Sequence, residues 1–385
     1  MDEYGNGANA PMSQQSDFQG FLAFSMLDRL LSGLQAKGYR CMGPTVEQGA
    51  IIFGELLVAT ELPRGLQVVQ SPSQYTLTSD PQNRYFAWVN GPQAIKPLTF
   101  APRESLWRVQ RDELGGLKFE SVAQQPIRTA LIGVRACDLA ALALQDAHFL
   151  REPNPDAHYA ARRNALFLVA VQCAEPAATC FCASTGDGPT PQYGFDLSLT
   201  ELANGFVVTS GSAAGAEILA ELDLEAATTE QLQAAREQGE LAASRQQRSL
   251  PGRDLRPLLM SRLEHRHWDE VAARCLSCGN CTAVCPTCFC HTQNDEVAPG
   301  AGETTHVREW DSCFNAGHAY LHGHNVRPDT KSRYRQWLIH KLATWHDQYG
   351  RSGCVGCGRC ISWCPAAIDL TEEVAALAKG GEGDQ

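Results

Sequence analysis

The pattern that most constrains this 385-residue chain is a run of four cysteines and a proline that occurs twice. Cys275, Cys278, Cys281 and Cys285 precede Pro286, and Cys354, Cys357, Cys360 and Cys364 precede Pro365. Each copy reads C-x2-C-x2-C-x3-C-P. Gly279 and Gly358 each follow the second cysteine of their run. Glycine accepts backbone angles that other residues resist, so it lets an N–H approach a sulfur closely. The two prolines lack an N–H and fix φ, which turns the chain away after the fourth thiol.

Three thiolates at this spacing wrap one [4Fe–4S] cubane, and in two-cluster ferredoxins the fourth cysteine of each run serves the other cube. The pattern therefore assigns cluster I to Cys275, Cys278, Cys281 and Cys364, and cluster II to Cys285, Cys354, Cys357 and Cys360. Structural zinc is the competing reading, but zinc sites pair C-x2-4-C with a distant second pair. Three cysteines in series, then a fourth with proline, fit iron better. Disulfides fit less well still. The first residues contain no apolar signal run, so a cytoplasmic location is expected. There, 16 cysteines point to metal or redox chemistry.

The length implies two or three domains. A net charge of −11 argues against nonspecific nucleic-acid binding. No apolar stretch approaches the roughly 20 residues that a membrane span needs. Residues 306–351 run against the acidic balance, with Arg308, Arg327, Lys331, Arg333, Arg335, Lys341 and Arg351. They form either a solvated face or a surface for an acidic partner or a nearby anionic cluster.

The expected fold is mixed α+β and α/β. Residues 1–17 are polar and turn-rich and read as a disordered tail. Residues 18–125 read as an N-terminal α+β region: a helix over 20–36 with Phe21, Phe24, Leu27, Leu30, Leu31 and Leu34 on one stripe, then strands at 49–57, 67–69 and 85–89. Residues 126–248 read as a central α/β domain. Its strand at 129–134, helix at 138–150 and strand at 165–171 make a βαβ unit, with a further strand at 206–209 and helices at 213–222 and 229–243. Residues 249–385 read as a ferredoxin-like domain carrying both cysteine runs, with a helical insertion at 291–350. Helices are expected at 255–263, 267–273 and 331–345, and a last one starts at Thr371.

The βαβ unit has cysteines of its own. Cys137 follows its first strand, Cys173 its second, and Cys180 and Cys182 sit in the next loop. Sites in open parallel sheets gather beyond the carboxyl ends of the strands. Neighbouring strands there would bring these four thiols together as a candidate third [4Fe–4S] site, against the plain alternative that free cysteines pack in cores. Cys288, Cys290 and Cys313 read as packing around the clusters, and Cys41 as a core residue. His318, His322 and His324 suggest a loop more than a metal face, because nothing nearby supplies a second shell.

Neither G-x-G-x-x-G after a strand nor G-x-x-x-x-G-K-[ST] is found, and the turn after Val134 has no glycine to cradle a pyrophosphate. No hydrolytic triad or Cys–His nucleophile stands out in the sequence, so no complete active site is expected.

Several segments resemble one iron–sulfur family. They are Ile132 to Leu142 (IGVRACDLAAL), Cys180-Phe181-Cys182 with Gly186 and Gly188-Pro189, Cys285 to Cys290 (CPTCFC), Trp310 to Cys313 (WDSC), and His340-Lys341 ahead of Gly353 to Cys360 (GCVGCGRC). The family comprises the beta subunits of soluble NAD(P)-linked [NiFe]-hydrogenases (sulfhydrogenases) and the equivalent electron-transfer subunits of anaerobic sulfite reductases. The resemblance spans residues 20–375. It implies an electron-transfer role within a hetero-oligomer. FAD and NAD(P) would sit on a partner subunit, and the catalytic centre on hydrogenase small and large subunits or on siroheme-bearing sulfite reductase subunits. The hydrogenase setting is the preferred expectation. The sulfite reductase setting and a noncatalytic cluster-based sensor or scaffold are the alternatives.

Overall fold

The computed structural model describes residues 19–89, 91–93, 95–112, 114–297 and 303–379, so the expected tail at 1–17 lies outside the described residues. Its main element is an eight-stranded sheet in the order Glu225–Ala226, Gln19–Ala23, Gly205–Ser210, Leu197–Leu202, Leu166–Val171, Thr129–Val134, Arg40–Glu47, Ala50–Glu55. The four strands from Leu197–Leu202 to Arg40–Glu47 run parallel to their neighbours, and antiparallel strands flank them on both sides. Thr129–Val134, the helix Ala136–Phe149 and Leu166–Val171 form the expected βαβ unit.

Alternation along the central strands supplies both faces with apolar side chains, as a sheet covered on each side requires. Ala130, Ile132, Phe167 and Val169 join the leucines of the helix Leu27–Ala36 in one core. Leu131, Val134, Leu168 and Ala170 join Leu139, Leu142 and Phe149 in the other. Gly133, at φ +87°, breaks the register between Ile132 and Val134. This bulge turns the strand end toward the Cys137 helix.

A second sheet has the order His291–Val297, Glu303–Trp310, Arg103–Arg111, Leu117–Ser121. The stretch between the cysteine runs thus opens with a β-hairpin, which corrects the expectation of a purely helical insertion. The hairpin carries β-branched Thr292, Thr304, Thr305 and Val307, and Arg103–Arg111 offers it an edge. Helices follow: Thr330–Ile339, a π-helical turn His340–Thr344, and Trp345–Tyr349. Both sheets draw strands from either side of residue 126, so a boundary there runs through shared sheets rather than between them.

Two further expectations are corrected. The helix expected over 20–36 begins at Leu27. Gln19–Ala23 is a strand because it pairs with Gly205–Ser210, and that pairing outweighs the helical spacing of Phe21 and Phe24. The segment 85–89 is buried irregular backbone, not a strand. Side chains satisfy it in place of a neighbouring strand: Glu201 accepts from the N–H groups of Tyr85 and Phe86 (2.6 and 2.8 Å), while Arg135 donates to the carbonyls of Phe86 and Trp88 (3.1 and 2.6 Å). Among the described residues, no helix is long and apolar enough to cross a membrane.

Candidate metal centres

The cysteines gather at three cavities. The first is lined by Cys275, Cys278, Cys281 and Cys364, with Cys360 also on its wall. The second is lined by Cys285, Cys354, Cys357 and Cys360. The first cavity therefore draws three thiols from the first run and two from the second, and the second cavity draws three from the second run and one from the first. Gly279 and Gly358, at φ +74° and +72°, make the backward turns that begin the short helices Asn280–Ala283 and Arg359–Ser362. Backbone N–H groups point at the sulfurs: Ser277 N lies 3.5 Å from Cys275 Sγ, and Ile368 N 3.4 Å from Cys364 Sγ.

The third cavity is lined by Cys137, Cys173, Cys180 and Cys182. Cys137 is in the first turn of the helix after Thr129–Val134, and Cys173 lies two residues past Leu166–Val171, so both stand at the carboxyl edge of the parallel strands. The loop that carries Cys180 and Cys182 is pinned to the second cysteine run, where Phe181 N donates to Gly356 O at 2.8 Å. A Cβ on Gly356 would stand 2.5 Å from Cys182 N, and one on Gly358 would stand 2.3 Å from Thr179 O. Only glycine permits this close approach. It brings Cys357 onto the wall of the third cavity as well as the second.

The donor set fits iron–sulfur clusters. Burial pushes Cys180 and Cys354 up to about 12, and Cys137, Cys182, Cys281 and Cys360 well above the ordinary thiol range. So many sulfurs in apolar walls need a cationic centre to become thiolates. Among the described residues, no three His, Cys, Asp or Glu side chains are grouped as they would be around a single metal ion.

Charged and polar side chains surround the sulfurs, and sequence reasoning gave most of them no role. Lys341, in the π-helical turn, donates to Cys285 Sγ (3.2 Å) and Thr287 Oγ1 (3.2 Å), and lies 3.6 Å from Cys288 Sγ. Burial works against its charge, but the sulfurs of Cys285, Cys288 and Cys354 outweigh it and hold the ammonium above its usual range. Arg359 pairs with Asp138 at 2.8 Å, both buried, beside Cys357 and Cys137. Arg135 Nη1 lies 3.8 Å from Cys173 Sγ, and Gln246 Nε2 donates to Cys182 Sγ at 3.1 Å. The available signal was position: Arg135 and Lys341 fall inside the segments that carry the family resemblance.

The other sequence candidates also find their places. Cys41 is buried in the main core, and burial pushes its thiol up to about 11. Cys288 lies beside the Lys341 ammonium and lines a polar cavity with Cys290, and Cys313 packs against the C-terminal core around Phe314 and Trp337. His318 pairs with Asp311 at 2.6 Å, whereas His322 and His324 are exposed on a two-residue hairpin. Much of the cationic excess at 306–351 is neutralised within the chain, with Arg308 on Glu104, Lys331 on Asp269, Arg335 on Glu264 and Arg351 on Asp187.

Two interlocked cysteine sets at the C-terminal end define an iron–sulfur dicluster protein, and a family model described as a 4Fe-4S dicluster domain matches residues 274–368. The chain is also 33% identical over 288 residues to Sulfhydrogenase 2 subunit beta of Pyrococcus furiosus, an alignment that covers 74% of this chain and 83% of the relative. It belongs to the family of sulfhydrogenase beta subunits. No solved structure matches the chain.

Proposed function

We propose that this chain is the iron–sulfur electron-transfer subunit of a cytoplasmic, NAD(P)-linked [NiFe]-hydrogenase, and that it relays electrons through three [4Fe–4S] clusters. The observation that carries the reading is the sharing of walls. Cys360 lines the first and second cavities, and Cys357 lines the second and third. Three centres in such contact form a continuous path. When bound, the clusters supply one-electron redox chemistry over a potential range set by charge, hydrogen bonds and exposure.

The protein's own residues fix the order and environment of the path. Cys275, Cys278, Cys281 and Cys364 hold cluster I. Cys278 is exposed, so this end faces solvent or a partner. Cys285, Cys354, Cys357 and Cys360 hold cluster II, beside the buried Lys341 ammonium. Cys137, Cys173, Cys180 and Cys182 hold the third, between Arg135, Gln246 and Arg359. Cations and N–H donors next to ligand sulfurs stabilise the extra electron of a reduced cluster. FAD and NAD(P) belong on a partner subunit, and the [NiFe] centre on hydrogenase small and large subunits. The relative's name supports the hydrogenase setting over sulfite reductase.

Rapid-freeze EPR of the purified complex tests this. With H2 or NAD(P)H, the clusters should become reduced within one turnover. Clusters that stay oxidised while the enzyme turns over would leave this chain a scaffold.

A further inference from the structure

Two buried hydrogen-bond donors lack an acceptor among the described residues: Tyr334 Oη and Trp337 Nε1. The helix Thr330–Ile339 places the two side chains three residues apart, hence on one face, and they are 3% and 5% exposed. Elsewhere the chain pairs such groups. Trp268 Nε1 donates to Arg262 O at 2.7 Å, Trp88 Nε1 to Tyr85 O at 2.8 Å, and Tyr159 Oη to Asp146 Oδ1 at 2.6 Å. A buried donor left unpaired is costly, so it calls for an acceptor that the protein itself does not supply.

Both side chains line the cavity that collects Cys275, Cys278, Cys281 and Cys364. Their helix is fixed against the first cysteine run. Asp329 caps it by accepting from Ser332 N at 2.7 Å, and Thr330 Oγ1 lies 3.0 Å from Ser277 Oγ. Ring contacts hold the side chains in place, with Tyr334 5.5 Å from Trp337 and Trp337 6.1 Å from Phe314 between ring centres. Packing accounts for the rings. It does not account for a hydroxyl and an indole N–H, which phenylalanine in either place would avoid.

We propose that Tyr334 Oη and Trp337 Nε1 donate hydrogen bonds to cluster I and raise its reduction potential. This rests on the reading that a [4Fe–4S] cluster fills the cavity. The cysteine sulfurs accept from neither group, which leaves the inorganic sulfides of the cube as the acceptors. Phe314, Ile368 and Leu370 supply apolar wall beside the donors. In such a setting a hydrogen bond is stronger than in water. A reduced cube carries one more negative charge, so its sulfides accept more strongly and the donors favour the reduced state. Tuning of cluster I thus falls to neutral donors, whereas the Lys341 ammonium acts at Cys285 of cluster II.

The test uses the full chain, purified anaerobically with its iron. Potentiometric EPR titration follows the three clusters in wild type, Tyr334→Phe and Trp337→Phe, with cluster I identified as the signal lost in Cys364→Ala. Tyr334→Phe removes one oxygen and keeps the ring, so the wall keeps its shape. Each variant should lower the reduced-to-oxidised ratio of cluster I at a fixed potential by about threefold or more, ~28 mV for a one-electron couple. The other two clusters should not move. Proton ENDOR of reduced cluster I should lose one strongly coupled proton in each variant. The proposal is overturned if Tyr334→Phe keeps its iron and leaves the cluster I potential and proton couplings unchanged, or if all three clusters shift equally. Iron content and the cluster I signal of wild type report separately on the cube itself, so the donor role can fail while the cluster reading stands. A wild type without a cube at this site overturns both.

Discussion

Lys341 Nζ lies 3.2 Å from Cys285 Sγ, and both residues are buried. A fixed positive charge at that distance favours the more negative, reduced state of a cluster held by Cys285. Lys341→Met should therefore lower the midpoint potential of cluster II, by about 60 mV or more if the charge contributes at least about 1.4 kcal/mol. Potentiometric EPR titration of the variant against wild type checks this. An unchanged potential would mean that the ammonium serves packing alone.

In the proposed assignment the two cysteine runs exchange their fourth thiols. Cys285→Ala should damage the cluster held by Cys354, Cys357 and Cys360, and Cys364→Ala the one held by Cys275, Cys278 and Cys281. EPR of each variant should lose the signal of the more distant run. Loss confined to the nearer run would refute the exchange.

Gly358 combines φ +72° with a site where a Cβ would stand 2.3 Å from Thr179 O. Gly358→Ala should cost at least about 1–3 kcal/mol from the backbone conformation alone, with added loss at the third centre as the loop of Cys180 and Cys182 is pushed away. Gly317 has ordinary φ and nothing within 4 Å of an added Cβ. Gly317→Ala should stay within about 0.5 kcal/mol of wild type. Thermal unfolding and iron content of the pair measure both effects.

His148 stacks on Phe289 at 3.7 Å between ring centres and sits 2.7 Å from Tyr349 Oη. Burial, with a smaller effect from His291, pushes its imidazole down from 6.5 to about 4. A group depressed on folding contributes stability that is intact above its unfolded value and is lost as pH falls toward the folded one. Stability from this site should thus decline between pH 6.5 and 4. His148→Phe should show a shallower fall in melting temperature over that window, read by calorimetry at several pH values.

The dicluster domain was legible in the sequence, because its two cysteine runs have fixed spacing, and the matching family model covers residues 274–368. The βαβ unit was legible too: Thr129–Val134 is apolar throughout, as a strand covered on both faces must be. What stayed hidden depends on partners far away in sequence. Gln19–Ala23 is a strand only because residues 205–210 pair with it, and Arg103–Arg111 finds its neighbour more than 190 residues on, in Glu303–Trp310. The buried segment 85–89 has the composition of a strand, but Glu201 and Arg135 occupy its backbone groups. Lys341 read either as part of a solvated face or as a charge for an acidic partner or a nearby anionic cluster, and no local pattern shows that a lysine will meet a sulfur 56 residues away.

The most direct measurement is metal content with Mössbauer or EPR spectroscopy on anaerobically purified protein. Three centres of four irons predict about 12 iron atoms per chain, all in cubane signals. Protein that is colourless and free of iron, or that carries zinc on these cysteines, would contradict the account.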